Sequence, residues 1–344
     1  MSVSYNGEIK QFDKTGNVLE AIGVRTPSNQ RYTSVEDDIK LLEKLKDPHK
    51  LNLNCFSVDW GSRNVVTGSA DHTLKLWNFY GNVLRTFTGH CSEVLCVEVD
   101  WKSHRMLSGS LGSDLKLWRL DSSSPFRSVE GSCPGGIGAL AVNWKMHSAI
   151  CGCGELLEVW DMASKGEEDT TAPQRLQILR GHTQMVTAIH VDWAQGLILS
   201  AAMDCTLRRW DLRSGELLKT FPVLSGEIRC MSLVDDASVV TGDERGNLQV
   251  WDLEGGLVQR VLTAHKEGVN CLSQVHAGHF ISGGRDGKLM YWRLQDGACL
   301  QTVEVAEITA GVWVMGIAAL PERSHGSRDD QRKAMSGGRH SVVR

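Results

Sequence analysis

The chain has 344 residues, too many for one small domain at the usual ~100–200 residues each, so it holds two or three domains or one repetitive array. Its 41% apolar and 23% charged residues describe a soluble, cored protein, and 37 Lys and Arg against 41 Asp and Glu leave a net charge of −4. Proteins that grip nucleic-acid backbone or anionic lipid carry a basic excess, because each neutralised phosphate needs a cation. This chain has no such excess, so direct binding of nucleic acid or membrane is not expected. No run reaches the ~18–20 apolar residues of a membrane helix, and the opening residues lack the basic and apolar regions of a secretory signal, which points to the cytosol or the nucleus. Ten Cys in a reducing compartment then need an explanation other than disulfides.

In chain order, Gly7 to Asp13 and Asn17 to Val24 read as strands. Residues 25–49 break the β pattern: Ser34 can cap a helix with Asp37 three residues on, and Val35, Ile39, Leu42 and Leu45 share one face of a helix over about 34–46. This connector either packs on its neighbours or docks a partner.

From residue 50 to 305 the chain repeats. Trp77, Trp118, Trp160, Trp210, Trp251 and Trp292 follow one another by 41, 42, 50, 41 and 41 residues, and the longer step holds an insertion from Met162 to Pro173. Each Trp closes a short alternating run such as Thr73-Leu74-Lys75-Leu76-Trp77, read as a strand with one buried face. About ten residues earlier another strand ends in Thr67-Gly68-Ser69, Ser108-Gly109-Ser110, Thr241-Gly242-Asp243 or Ser282-Gly283-Gly284. After the repeats, Val312 to Leu320 and Lys333 to Gly338 read as strands, and His340 to Arg344 begins another.

A unit of ~40–45 residues with Gly-His before its first strand and Trp-Asp ending its third is the mark of a propeller blade. Gly89-His90, Gly181-His182 and the variant Ala264-His265, with Trp160-Asp161, Trp210-Asp211 and Trp251-Asp252, make the chain resemble the WD40-repeat family. The resemblance implies an all-β, seven-bladed propeller: six blades in 50–305, and a seventh closed by both ends of the chain. In that arrangement 306–344 supply its first strand (Val312 to Leu320) and second (Lys333 to Gly338). Residues 1–24 supply the third, with Phe12 at the Trp position, and the outer strand; His340 to Arg344 competes for the third place.

The same resemblance implies structural hydrogen-bond tetrads at His49, Thr67, Asp71 and Trp77, at His182, Ser200, Asp204 and Trp210, and at His265, Ser282, Asp286 and Trp292. A Ser-His-Asp set invites a hydrolase reading, but three copies on one chain without a Gly-x-Ser-x-Gly elbow speak for architecture, and no enzyme activity is expected. Gly112, Gly154 and Arg245 replace the Asp in blades two, three and five, which are therefore expected to be softer. Cys55, Cys96, Cys230 and Cys271 share one first-strand register with Ala139, Ala188 and Gly316, where close packing asks for a small side chain.

Cys151-x-Cys153 is a weak metal signal with no Cys-x-x-Cys beside it, and Gly283 to Lys288 lacks the Ser or Thr and the spacing of a phosphate loop. No metal, cofactor or small-molecule substrate is expected. Trp60, Trp101, Trp144 and Trp193 recur where most of the family has an aromatic-Ser-Pro turn, either as wedges between blades or as an aromatic contact surface.

Partner binding, by the same resemblance, falls at the channel mouth: Glu93 and Leu95, Met185, Thr187 and Met203, Glu227, Arg229 and Glu244, Asn270 and Arg285, Trp313 and Arg339. That mixture of charge with an apolar anchor suits peptide segments of other proteins. Trp210-Asp211-Leu212-Arg213 also resembles the WDxR box of cullin-RING substrate receptors, with Arg209 where the box prefers an apolar residue. The functions in view are an interaction scaffold, a ubiquitin-ligase substrate receptor, or a structural subunit of an RNP or enzyme complex.

Overall fold

A computed structural model of the chain describes residues 2–4, 8–12, 18–23, 49–129, 135–162, 173–222, 226–235, 237–304 and 314–317. The first strands are β1 (Ser2–Ser4), β2 (Glu8–Phe12) and β3 (Val18–Gly23). Blade one is β4 (Leu53–Asp59), β5 (Asn64–Ser69), β6 (Leu74–Asn78) and β7 (Val83–Phe87); blade two is β8 (Val94–Asp100), β9 (Arg105–Ser110), β10 (Leu115–Arg119) and β11 (Arg127–Val129). Blade three is β12 (Ile137–Asn143), β13 (Ser148–Cys153), β14 (Leu156–Asp161) and β15 (Gln174–Leu179); blade four is β16 (Val186–Asp192), β17 (Leu197–Ala202), β18 (Thr206–Asp211) and β19 (Leu217–Pro222). Blade five is β20 (Ile228–Leu233), β21 (Ser238–Asp243), β22 (Asn247–Asp252) and β23 (Val258–Thr263); blade six is β24 (Val269–His276), β25 (His279–Gly284), β26 (Lys288–Arg293) and β27 (Ala298–Glu304). The last strand is β28 (Val314–Ile317).

Each blade is an antiparallel sheet in chain order, and the first strands of successive blades pack against one another. The seven-bladed expectation is corrected: six blades are built from continuous chain, because only 50–305 carries the complete repeat. The two ends meet in a separate sheet of order β28-β1-β2-β3, lying between β24 of blade six and β4 of blade one. Its second place is held by β1, with Val3 opposite Gly316 and Ile9, and not by Lys333 to Gly338, which lies outside the described residues. The expected helix over 34–46 also lies outside them, and no helix occurs among the described residues.

Burial explains the strand sequences. The expectation of one buried face fails for the third strands of blades one, two, three and five: Leu74, Lys75, Leu76 and Trp77 of β6 are all buried, because a neighbouring sheet covers each side. The outer strand β23, with partly buried and exposed residues alternating along it, keeps the period-2 pattern of a half-solvated sheet. Near the axis, Cys55, Cys96, Cys230 and Cys271 each pair with a second-strand Gly: Gly68, Gly109, Gly242 and Gly283. A Cβ on Gly109 would lie 2.5 Å from Ile137 of the next blade and 2.8 Å from Cys96 Sγ, so backbone and a small thiol fill this layer with no space to spare. Burial pushes these thiols well up, and they act as packing groups; the Sγ of Cys96, Cys230 and Cys271 reaches a carbonyl of the next sheet, Ile137 O at 3.4 Å for Cys96.

The four rim Trp are half-buried. Each packs into the cluster between its own blade and the sheet before it: Trp60 beside Met315, Trp101 with blade-one residues, Trp144 with blade two and Trp193 with blade three. Trp60 meets Phe79 edge-on at 5.7 Å. Their packing is that of wedges.

Candidate functional site

In blade one, Trp77 Nε1 donates to Thr67 Oγ1 at 2.8 Å, Thr67 Oγ1 lies 2.8 Å from His49 Nε2, and His49 Nδ1 lies 2.9 Å from Asp71 Oδ2. Trp210, Ser200, His182 and Asp204 repeat the chain in blade four with all three steps at 2.8 Å, and Trp292, Ser282, His265 and Asp286 repeat it in blade six. The neighbours fix the tautomer: Nδ1–H donates to the carboxylate and Nε2 accepts from the hydroxyl. Asp204 also accepts from Thr183 N, Thr206 N and Thr206 Oγ1, tying the turn to the strand that follows. Burial alone would push the Asp71 and Asp204 carboxyls up, but the His and Thr donors outweigh it and hold both well below the usual carboxylate range.

Blade two departs from expectation. Gly112 does occupy the turn position, yet Asp114 Oδ2 reaches His90 Nδ1 at 2.8 Å, and Ser108 receives Trp118 Nε1 at 2.8 Å. Asp114 takes the register of Thr73 and Thr206, whose hydroxyls already sit 3.2 Å from the His in their own blades. The acid has moved two residues along the turn and still faces the ring, though its contact is poorly aligned for a hydrogen bond. Lys116 Nζ, 3.3 Å away and buried, backs it from the strand. In blade five, Thr241 receives Trp251 Nε1 at 3.0 Å, and Asp243 holds the turn by accepting from the backbone of Arg245 and Asn247.

At one end of the channel a second motif recurs. The residue before the turn position donates its N–H to a carbonyl at the start of the first strand, pairing Asn52 with Ala70, Glu93 with Leu111, Met185 with Met203, Glu227 with Glu244 and Gly268 with Arg285, and in blade three the turn residue Gly154 itself donates to Gly136. Blades one to four therefore present mostly apolar or small groups and blades five and six present charge.

Arg229 lies 3.0 Å from Glu227 and 3.6 Å from Glu244, and Arg285 Nε donates to Asn270 Oδ1 at 3.2 Å. Burial first, then Arg229, lowers the pKa of Arg285, against the pull of Glu244, Glu267 and Glu227. The Cys205 thiol beside them is raised by burial and by Glu227, Asp204 and Glu244. Arg229 Nε is buried without a hydrogen-bond partner among the described residues. Three Glu against Arg229, Arg245 and Arg285 make the patch neutral overall while strongly charged locally.

Of the expected mouth residues, Glu93, Met185, Met203, Glu227, Arg229, Glu244 and Arg285 keep partial exposure, whereas Leu95, Thr187 and Asn270 are buried. Thr187 Oγ1 is spent on Ile228 O at 2.8 Å, a stitch between blades. Trp313 and Arg339 lie outside the described residues. Cys205, Arg245 and Glu267 were not anticipated; their positions next to turn or loop residues of adjacent blades are the signal that could have found them. In the Trp210 to Arg213 segment, Asp211 Oδ1 accepts from Arg213 N and Ser214 N, so this Asp closes a turn.

Residues 40–78, 81–119, 173–211 and 256–293 match the family model described as WD domain, G-beta repeat. The chain is similar to the crystal structure of the WD40 beta propeller domain of Doa1, with a TM-score of 0.64, 22% identity, and coverage of 75% of this chain and 84% of that one. Mitochondrial division protein 1 of Aspergillus clavatus is 38% identical over 68 residues, 20% of this chain and 10% of that protein. A probable E3 ubiquitin ligase complex SCF subunit, sconB of Talaromyces stipitatus, is 42% identical over 52 residues, 15% of this chain and 8% of that protein. The matched stretches span a tenth or less of those relatives.

Proposed function

Because the chain belongs to the WD40-repeat family, we propose that it is a non-catalytic interaction scaffold that takes peptide segments of partner proteins at the channel mouth of blades four to six. The Ser-His-Asp sets of blades four and six have hydroxyls committed on both sides, to an indole N–H and an imidazole, inside the blades. A nucleophile so enclosed has no approach for a substrate.

The observation that carries the reading is the neutral Arg–Glu patch beside Met185 and Met203, with Arg229 Nε left as a buried donor. A buried donor without an acceptor costs ~1–3 kcal/mol, and a partner's carbonyl or carboxylate would recover it. Arg in a half-desolvated pocket is also a frequent interface anchor, and Met adapts to varied apolar side chains.

The test is affinity purification with the intact chain. Arg285→Glu with Met203→Ala should lose the proteins recovered by the wild type, and Met146→Ala with Leu176→Ala, exposed in blade three along its groove with blade four, should keep them. Loss with the second pair and retention with the first would move the working surface to that side.

A substrate-receptor role is the second reading. It is supported by the similarity to an SCF subunit and by exposed Arg213 after Trp210-Asp211. Recovery of a cullin adaptor that depends on Arg213 would select it.

A further inference from the structure

Blade three lacks the tetrad, and the register shows what stands in its place. Thr67 pairs with Lys75 and Ser108 with Lys116; the corresponding pair in blade three is Cys151 with Glu158. Cys153, two residues on, falls where blade one has Ser69. Cys151, Cys153 and Glu158 are all fully buried, and their ligand atoms lie within 4.8 Å of one another. The two Sγ atoms are 3.2 Å apart. Glu158 Oε1 receives Arg175 Nη1 at 2.8 Å, and the Arg175 guanidinium sits 6.0 Å from the Trp160 ring.

A second observation points the same way. In the other five blades the Trp Nε1 donates to the Ser or Thr at the Cys151 register, whereas Trp160 Nε1 is buried with no hydrogen-bond partner among the described residues. A neutral thiol is a weak acceptor; a metal-bound thiolate is a strong one.

We propose that Cys151, Cys153 and Glu158 form a binding site for a thiophilic divalent cation of the zinc class. Two thiolates on a tetrahedral ion with bonds of about 2.3 Å stand about 3.8 Å apart, within reach of a side-chain rotation from 3.2 Å. The charges balance: two thiolates and Glu158 meet a divalent cation and Arg175. Binding releases the two thiol protons to solvent and changes no oxidation state. Trp160 and Arg175 then serve as outer partners, one donating toward sulfur and the other orienting the carboxylate. In sequence the Cys-x-Cys was a weak signal because Glu158 joins it only across the β13–β14 pair.

The experiment uses the full chain, reduced and stripped of metal, titrated with Zn²⁺ against a chromophoric chelator and separately with Co²⁺. One equivalent should bind, with sulfur-to-cobalt charge-transfer absorption and the visible bands of a tetrahedral ion. Cys151→Ser with Cys153→Ser should abolish both signals, and Cys91→Ser with Cys299→Ser, the exposed thiols, should leave them unchanged. Serine at 151 is the residue of blades two, four and six, so the variant is built to fold. Should it fail to fold, Glu158→Gln keeps the shape and should weaken binding by about tenfold or more. Retention of cobalt absorption by the double variant, or no uptake by the reduced wild type, overturns the site.

Discussion

Blades three and four are neighbours with the same strand order and nearly the same pairing registers, and their interiors are opposite. Blade four ties its turn to its third strand through Trp210, Ser200, His182 and Asp204; blade three puts Cys151, Cys153 and an ion-paired Glu158 in the same space. Both are sealed by clusters shared with the blades on either side. A blade is thus built by strand pairing and burial between sheets, and the polar network sets how firmly its turn is held. That separates what makes the fold from what can vary inside it.

The hardest break is Asp204→Ala. It leaves His182 and two backbone N–H groups without their acceptor and should cost about 3 kcal/mol in urea unfolding. Asp114→Ala should cost about 2 kcal/mol in the same measurement, its contact with His90 being less well aligned. A cost near zero there would restore blade two to the soft class.

Acid titration sharpens the contrast between the blades. The Asp204 carboxyl is held below its unfolded value, so its contribution is complete above that value, near pH ~4, and is lost as pH falls through the depressed folded pKa. Wild-type stability should therefore fall more steeply below about pH 4 than that of Asp204→Asn, which has no such proton to take up.

Smaller still is Cys151→Ser in reduced, metal-free protein. A serine hydroxyl at this register gives Trp160 Nε1 an acceptor and should raise stability by about 1 kcal/mol, read from the unfolding midpoint. Gly112→Asp should change stability by no more than about 0.5 kcal/mol, since His90 already has its acid.

The repeat was legible because Trp and Gly recur at spacings that only strand registers explain, and the small first-strand Cys register followed from side-chain size, whereas the Gly facing each Cys emerged only from strand pairing. What sequence offsets could not show was where a side chain can reach from a neighbouring turn position. Asp114 stands two residues from the place assigned to the acid, yet the turn brings it to the same imidazole. Glu158 lies five residues from Cys153 and becomes its neighbour only through the hairpin. Lys75 and Lys116 look like solvent-facing residues in an alternating strand, and burial by the adjacent blade reverses that reading. The blade count followed the family's habit, while the chain's own complete repeat ends with blade six.

The terminal sheet has a consequence for synthesis. β1 takes β28 as its neighbour, so all six blades are translated between the first strands and the one that covers them. At ~5–20 residues per second this interval lasts about 15–60 s, during which the inner edge of β1, the one β28 will cover, offers its N–H and C=O groups to any passing strand. That edge is therefore open to misassembly at the ribosome until β28 has been made.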